Sequence, residues 1–136
     1  MSVDDTPQTP SERKSAIKKR HEQAASEVLP DHRELYIGGE WVSSASGERF
    51  KTTDPTTGET LAEVQAGTAD DIDRAVEAAW EAYDETYSGF STAERQAMLE
   101  AIADRVEAKQ EEFARLESLD NGKPITEARI DIDLVT

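Results

Sequence analysis

The tetrapeptide Asn121-Gly122-Lys123-Pro124 constrains this chain more than any other stretch, because it closes one helix and opens the next at a fixed point. Upstream, Leu99, Ile102, Val106, Phe113 and Leu116 recur at helical spacing, skipping the polar position at Lys109 or Gln110. Asn121 and Gly122 tolerate the left-handed φ of a helix C-cap, and Lys123 complements the negative helix end. Pro124 cannot continue the old helix but suits the first turn of a new one. The expectation is one long helix from the capping signature Ser91-Thr92-Ala93-Glu94 to this stop. A second helix would then carry Ile125, Ala128, Ile132 and Val135. Ile130 to Leu134 also alternates as a strand would, and the clean start at Pro124 decides for helix.

Nearer the N-terminus the pattern is that of short strands. Leu35-Tyr36-Ile37 and Glu40-Trp41-Val42 flank Gly38-Gly39, a pair that accepts the positive φ of a primed hairpin turn. Arg49 to Thr53 and Thr60 to Val64 read as further strands around the turn Asp54-Pro55-Thr56-Thr57-Gly58. These strands are short and half polar, so they need a larger body to cover their apolar face. Thr68-Ala69-Asp70-Asp71 then caps a helix whose stripe is Ile72, Ala75, Val76, Ala79 and Tyr83, with Trp80 beside it. Both helical stripes are read as core faces, although a core face and a partner-binding face look alike in a sequence. Residues 1–33 carry few apolar side chains, chiefly Ile17, Val28 and Leu29, and read as a mobile or loosely helical extension ended by Pro30. Residues 34–136 form the main body.

Charge removes several functions from consideration. The net charge is −15, and residues 1–33 hold six basic and six acidic groups, so the whole excess falls on the remainder, with nine basic against 24 acidic. Such a surface repels phosphate backbones and anionic membranes, which excludes nucleic acid and membrane as partners of the main body. Its self-repulsion is relieved by screening, as suits a protein adapted to concentrated salt. No apolar run approaches the roughly 18 residues that span a bilayer, and the mixed-charge N-terminus fits neither a secretory nor a transit signal, so the cytoplasm is the expected location.

The residues themselves carry no familiar catalytic or metal-binding constellation. With no cysteine, the chain offers no disulfide, thiolate metal site or cysteine nucleophile. His21 and His32 lack the spacing of a metal site or a dyad and read as surface or linker residues. Gly122-Lys123-Pro124 is not a phosphate loop, since the upstream glycine and the magnesium-binding Ser or Thr are absent. With 30 acidic residues, neighbouring carboxylates such as Glu111 and Glu112 arise by chance.

Four stretches in order resemble the N-terminal part of the aldehyde dehydrogenase superfamily. They are Leu35 to Val42, Asp54-Pro55-Thr56-Thr57-Gly58-Glu59, Asp71 to Ala79, and Leu116 to Pro124 with Ala128, Arg129 and Asp131 downstream. Asp54 departs from the asparagine common in the family. The resemblance implies an α+β fragment of an α/β enzyme, with N-terminal hairpins and long amphipathic helices of the cofactor-binding region but without its nucleotide-binding sheet. It also implies oxidation of aldehydes to carboxylic acids with NAD or NADP in the complete, homo-oligomeric enzyme. There a cysteine thiolate attacks the aldehyde, hydride passes to the nicotinamide, and a glutamate-activated water releases the acid. An asparagine side chain and the cysteine's own amide would stabilise the oxyanion. All these groups lie downstream in the family, so no catalytic or cofactor-binding residue is assigned to this chain, which is expected to be inactive alone. The one local carry-over is an alkali-cation site formed by carbonyls near Thr52 and Thr53 and an oxygen of Asp120, oxygen being the ligand a hard cation prefers. The alternative for Asp120 is that it only helps close its helix. The alternative for the whole chain is a non-enzymatic helical module that binds a partner or a full-length relative.

Overall fold

A computed structural model describes residues 9–135. Helix α1 (Pro10–Val28) begins with a reciprocal cap, in which the Thr9 hydroxyl accepts from the Glu12 amide and the Glu12 carboxylate accepts from the Thr9 amide. Two separate antiparallel hairpins follow, β1 (Leu35–Ile37) with β2 (Glu40–Val42), and β3 (Arg49–Thr53) with β4 (Thr60–Gln65). Gly38 and Gly39 turn the first with φ of 61° and 85°, as the primed turn requires. The second strand pair extends one residue beyond the Val64 expected from sequence, because Gln65 still pairs with Arg49.

The chain then becomes helical: α2 (Ala69–Glu85), a single 3-10 turn at Tyr87–Gly89, α3 (Thr92–Glu107), α4 (Gln110–Asn121) and α5 (Ile125–Asp133). Thr68 with Asp71 and Ser91 with Glu94 form the capping boxes their spacing predicts. Gly122 ends α4 at φ 71°, and Pro124 stands at the N-cap of α5. The helical reading therefore prevails over the alternating one for residues 125–133, and Val135, expected on the same helix, lies in the turn beyond its end.

One long helix was expected where two occur. The break falls at Ala108-Lys109, where the Lys109 amide bonds to Val106 O at 3.0 Å, a tightened turn, and Lys109 leaves helical geometry at φ −116°, ψ 17°. This is the polar step at which the apolar stripe skips. The turn re-aims α4 so that Ala114 and Leu119 are buried and α4 packs on both α5 and α1.

The expectation that both apolar stripes are core faces is corrected within this chain. Only Val28, Ala114, Leu119 and Ala128 are buried hydrophobics among the described residues, gathered on α1, α4 and α5. Ile72, Val76, Trp80 and Tyr83 on α2 are 59%, 50%, 62% and 45% exposed, and Leu99 and Ile102 on α3 are exposed as well. The inward side of α2 is instead built from small residues, with Ala78 beside Gly38 of the hairpin turn. Periodicity finds an apolar face but does not say which molecule covers it. Among the described residues no helix is long and apolar enough to cross a membrane.

Candidate functional site

The turn between β3 and β4, the end of α4 and the side of α1 meet at one junction, and the cation-site residues lie there. The Thr52 hydroxyl donates to Asp120 Oδ1 at 2.7 Å, so the structure brings these two residues together across 68 positions of sequence. Thr53 is the next residue, exposed, and the strand register shifts between Thr52 and Thr53. Such an irregularity disrupts the ladder locally. The α4 cap itself is made by the Gly122 amide on Ser118 O at 3.0 Å. Asp120 thus reaches outward to β3. Beside the pair opens a groove of about 470 Å³ walled mainly by Leu29, Val64, Phe113, Leu116 and Ile132. Among the described residues no three His, Asp or Glu side chains converge as a transition-metal site requires.

Asp54, which opens the expected turn and departs from the family's asparagine, is 1% exposed and organises that turn. Its Oδ1 accepts from the Thr56 amide at 2.8 Å, and its Oδ2 accepts from the Thr57 hydroxyl at 2.7 Å. His21 Nδ1 on α1 lies 2.7 Å from the same Oδ2. Burial alone would raise this carboxyl, but the Thr57 hydroxyl, the Thr56 amide and the His21 ring together hold it below the ordinary carboxylate range. The reading of His21 as a surface or linker residue is therefore corrected: its ring is partly buried on the α1 face that also carries Ala24, Ala25 and Val28. The sequence reading of this segment counted only Ile17, Val28 and Leu29 as apolar and gave no sign of a partner 33 positions away. Lys18–Glu59 at 2.6 Å and Arg115–Glu27 at 2.8 Å complete the polar docking of α1. His32 stacks flat on Trp41 with ring centroids 4.5 Å apart.

A second buried carboxylate, Asp71, ties α2 to the loop after the first hairpin. It is 1% exposed and accepts from the Ser44 hydroxyl at 2.7 Å, the Ala45 amide at 3.2 Å and the Thr68 amide and hydroxyl at 2.9 Å, with Arg74 at 2.5 Å. The Thr68 amide, the Ser44 hydroxyl and the Arg74 guanidinium lower its pKa well below the usual value despite burial. Sequence reasoning identified the capping role of Asp71 and missed its bonds to Ser44 and Ala45. At the other end, Lys123 bridges Glu117 of α4 and Asp131 of α5, and both carboxylates raise its pKa.

The aldehyde dehydrogenase family model matches residues 41–136. The chain belongs to the aldehyde dehydrogenase family. Over 98 residues it is 50% identical to the mitochondrial aldehyde dehydrogenase family 2 member B4 of Arabidopsis thaliana, covering 71% of this chain and 18% of that protein. Among solved structures it is similar to betaine aldehyde dehydrogenase of Staphylococcus aureus in complex with NAD+, with a TM-score of 0.78 and 33% identity over 83% of this chain and 23% of that one. An aldehyde dehydrogenase of Bacillus cereus gives 0.74 and 39%, over 79% and 22%. This aldehyde dehydrogenase chain thus spans about a fifth of the length of the relatives it matches. All of α1 precedes the matched residues, so the Asp54–His21 contact joins a family turn to a segment that the family model does not describe.

Proposed function

We propose that these residues form the leading hairpin-and-helix platform of an NAD- or NADP-dependent aldehyde dehydrogenase that oxidises aldehydes to carboxylic acids. One observation carries the reading: a chain that matches the family over about a fifth of its relatives' length contains no cysteine, so the thiolate the chemistry needs must come from other residues. The NAD+ bound by the staphylococcal relative supports a nicotinamide hydride acceptor in the complete enzyme. The exposed stripe Ile72, Val76 and Trp80 and the groove beside Asp120 are then surfaces that the rest of a cytoplasmic homo-oligomer covers. Purified 136-residue chain is expected to show no NAD(P)-dependent aldehyde oxidation above a blank, and measurable turnover would overturn the reading.

The same exposed stripe favours a second reading, a helical module that binds a partner or a full-length relative. Concentration-dependent association with helicity retained supports this module, and aggregation with loss of helicity removes it.

Within the first reading Thr52, Thr53 and Asp120 hold an alkali cation, supported by an all-oxygen donor set at an irregular strand end. The acidic body is salt-adapted. Helical ellipticity is expected to rise with added salt, choline chloride supplying the screening part and sodium or potassium chloride an additional increment. A flat response removes salt adaptation. Identical responses to choline and alkali salts remove the cation site.

A further inference from the structure

Asn121 is the only asparagine in the 136-residue sequence, and glycine follows it. Elsewhere the polar turn and capping positions are filled by residues without a side-chain amide: Asp54, Thr68 and Ser91 each hold a local backbone amide through oxygen. The one asparagine therefore sits in the context where its side-chain carbon is most open to attack, because a glycine nitrogen meets no neighbouring Cβ. Asparagine is also among the thermolabile residues that stable proteins reduce.

We infer that Asn121 is a latent deamidation site, kept unreacted by the α4 cap and released when the α4–α5 junction opens. In the reaction the Gly122 nitrogen bonds to Asn121 Cγ and gives its proton to solvent base. The bond from Cγ to the side-chain nitrogen breaks, and ammonia leaves. Water then opens the resulting succinimide at either carbonyl, giving aspartate or isoaspartate. No oxidant or reductant is needed, and water is the only co-reactant.

The fold opposes each requirement of that attack. The Gly122 amide is bonded to Ser118 O at 3.0 Å, and Asn121 is the last helical residue of α4, so the attacking nitrogen keeps its proton in a helical hydrogen bond directed back along the helix. Gly122 is held at φ 71° against Pro55. Lys123, next in sequence, is anchored by Glu117 and Asp131 through its ammonium, and its carbonyl accepts from Ser118 Oγ at 2.8 Å. Water access imposes no such limit, since Asn121 is exposed. Isoaspartate adds a methylene to the main chain beside a glycine that has no room for even a Cβ against Pro55, so the product loosens the junction that carries Asp120 to Thr52.

The test follows the intact mass of the full chain during incubation at mildly alkaline pH, folded and in guanidinium. With one asparagine, a single Asn-to-Asp mass shift is diagnostic, and peptide mapping places it at Asn121. Folded chain is expected to react at least about tenfold more slowly than denatured chain, as local opening of modest free energy imposes. Lys123→Ala, verified as folded by circular dichroism, is expected to raise the folded rate and leave the denatured rate unchanged. Asn121→Gln is expected to abolish the shift. Equal folded and denatured rates, no reaction in guanidinium, or a Lys123→Ala folded rate equal to that of the original chain would each overturn the inference.

Discussion

Asp71→Ala is expected to lower the thermal unfolding midpoint by roughly 10 °C or more, the scale reached when a buried hydrogen-bond network loses its centre. The carboxylate gathers donors from two segments: Ser44 and Ala45 in the loop after β2, and Thr68 and Arg74 at the start of α2. Alanine leaves the Ser44, Ala45 and Thr68 donors without their acceptor in a place water does not readily reach, and each such group costs more than the bond contributed. Asp71→Asn is expected to lie between, since its amide oxygen can still accept on one side but its nitrogen faces donors on the other.

The pH dependence separates charge from shape. Because folding lowers the Asp71 pKa, its charge contribution is complete above the unfolded carboxylate value of about 4 and is lost as pH falls through the native value. The midpoint difference between the original chain and Asp71→Asn should therefore be constant from neutral pH to mildly acid pH and shrink below it, because a protonated carboxyl resembles the amide. Thermal melts followed by circular dichroism measure it. A gap that is unchanged in acid would show that the network depends on shape alone.

Local features of the fold were legible because their causes are local. The Thr68 and Ser91 caps, the Gly38-Gly39 turn and the Gly122 stop each need only a few neighbouring residues, and each occurs as its pattern indicates. Partners distant in sequence were not legible. Nothing near His21 announces Asp54, and nothing near Ser44 announces Asp71, because short polar side chains find one another only after the elements have packed. The apolar stripes of α2 and α3 show the limit most plainly. Their helical spacing was read correctly, although the single helix expected from Ser91 to Asn121 is divided at Lys109, and Val76 and Leu99 are exposed, since an apolar stripe records that a face is to be covered and carries no information about the cover. The Thr52–Asp120 contact was reached only through resemblance to a family, as no periodicity links a strand end to a helix end 68 residues later.

Gly122→Ala is expected to destabilise by about 2–5 kcal/mol, combining backbone strain of about 1–2 kcal/mol with an overpacking cost of about 1–3 kcal/mol. At φ 71° any L side chain is strained, and a Cβ at this position would lie 2.9 Å from Pro55 Cγ. The ring cannot simply withdraw, because Pro55 follows Asp54, whose carboxylate is fixed by Thr56, Thr57 and His21. Gly58, in the same turn, supplies the internal control: its φ is 76° and a Cβ there would meet nothing within 4 Å. Gly58→Ala should therefore pay the backbone strain alone, and the difference between the two variants in denaturant unfolding isolates the close approach of the α4 cap to the β3–β4 turn. Equal costs would mean that the turn yields to the added methyl and that Gly122 is required only for its left-handed conformation. A larger cost at Gly122 would show that the helix stop and the strand turn are fitted to each other, so that the glycine closes α4 and seats the hairpin through one missing side chain.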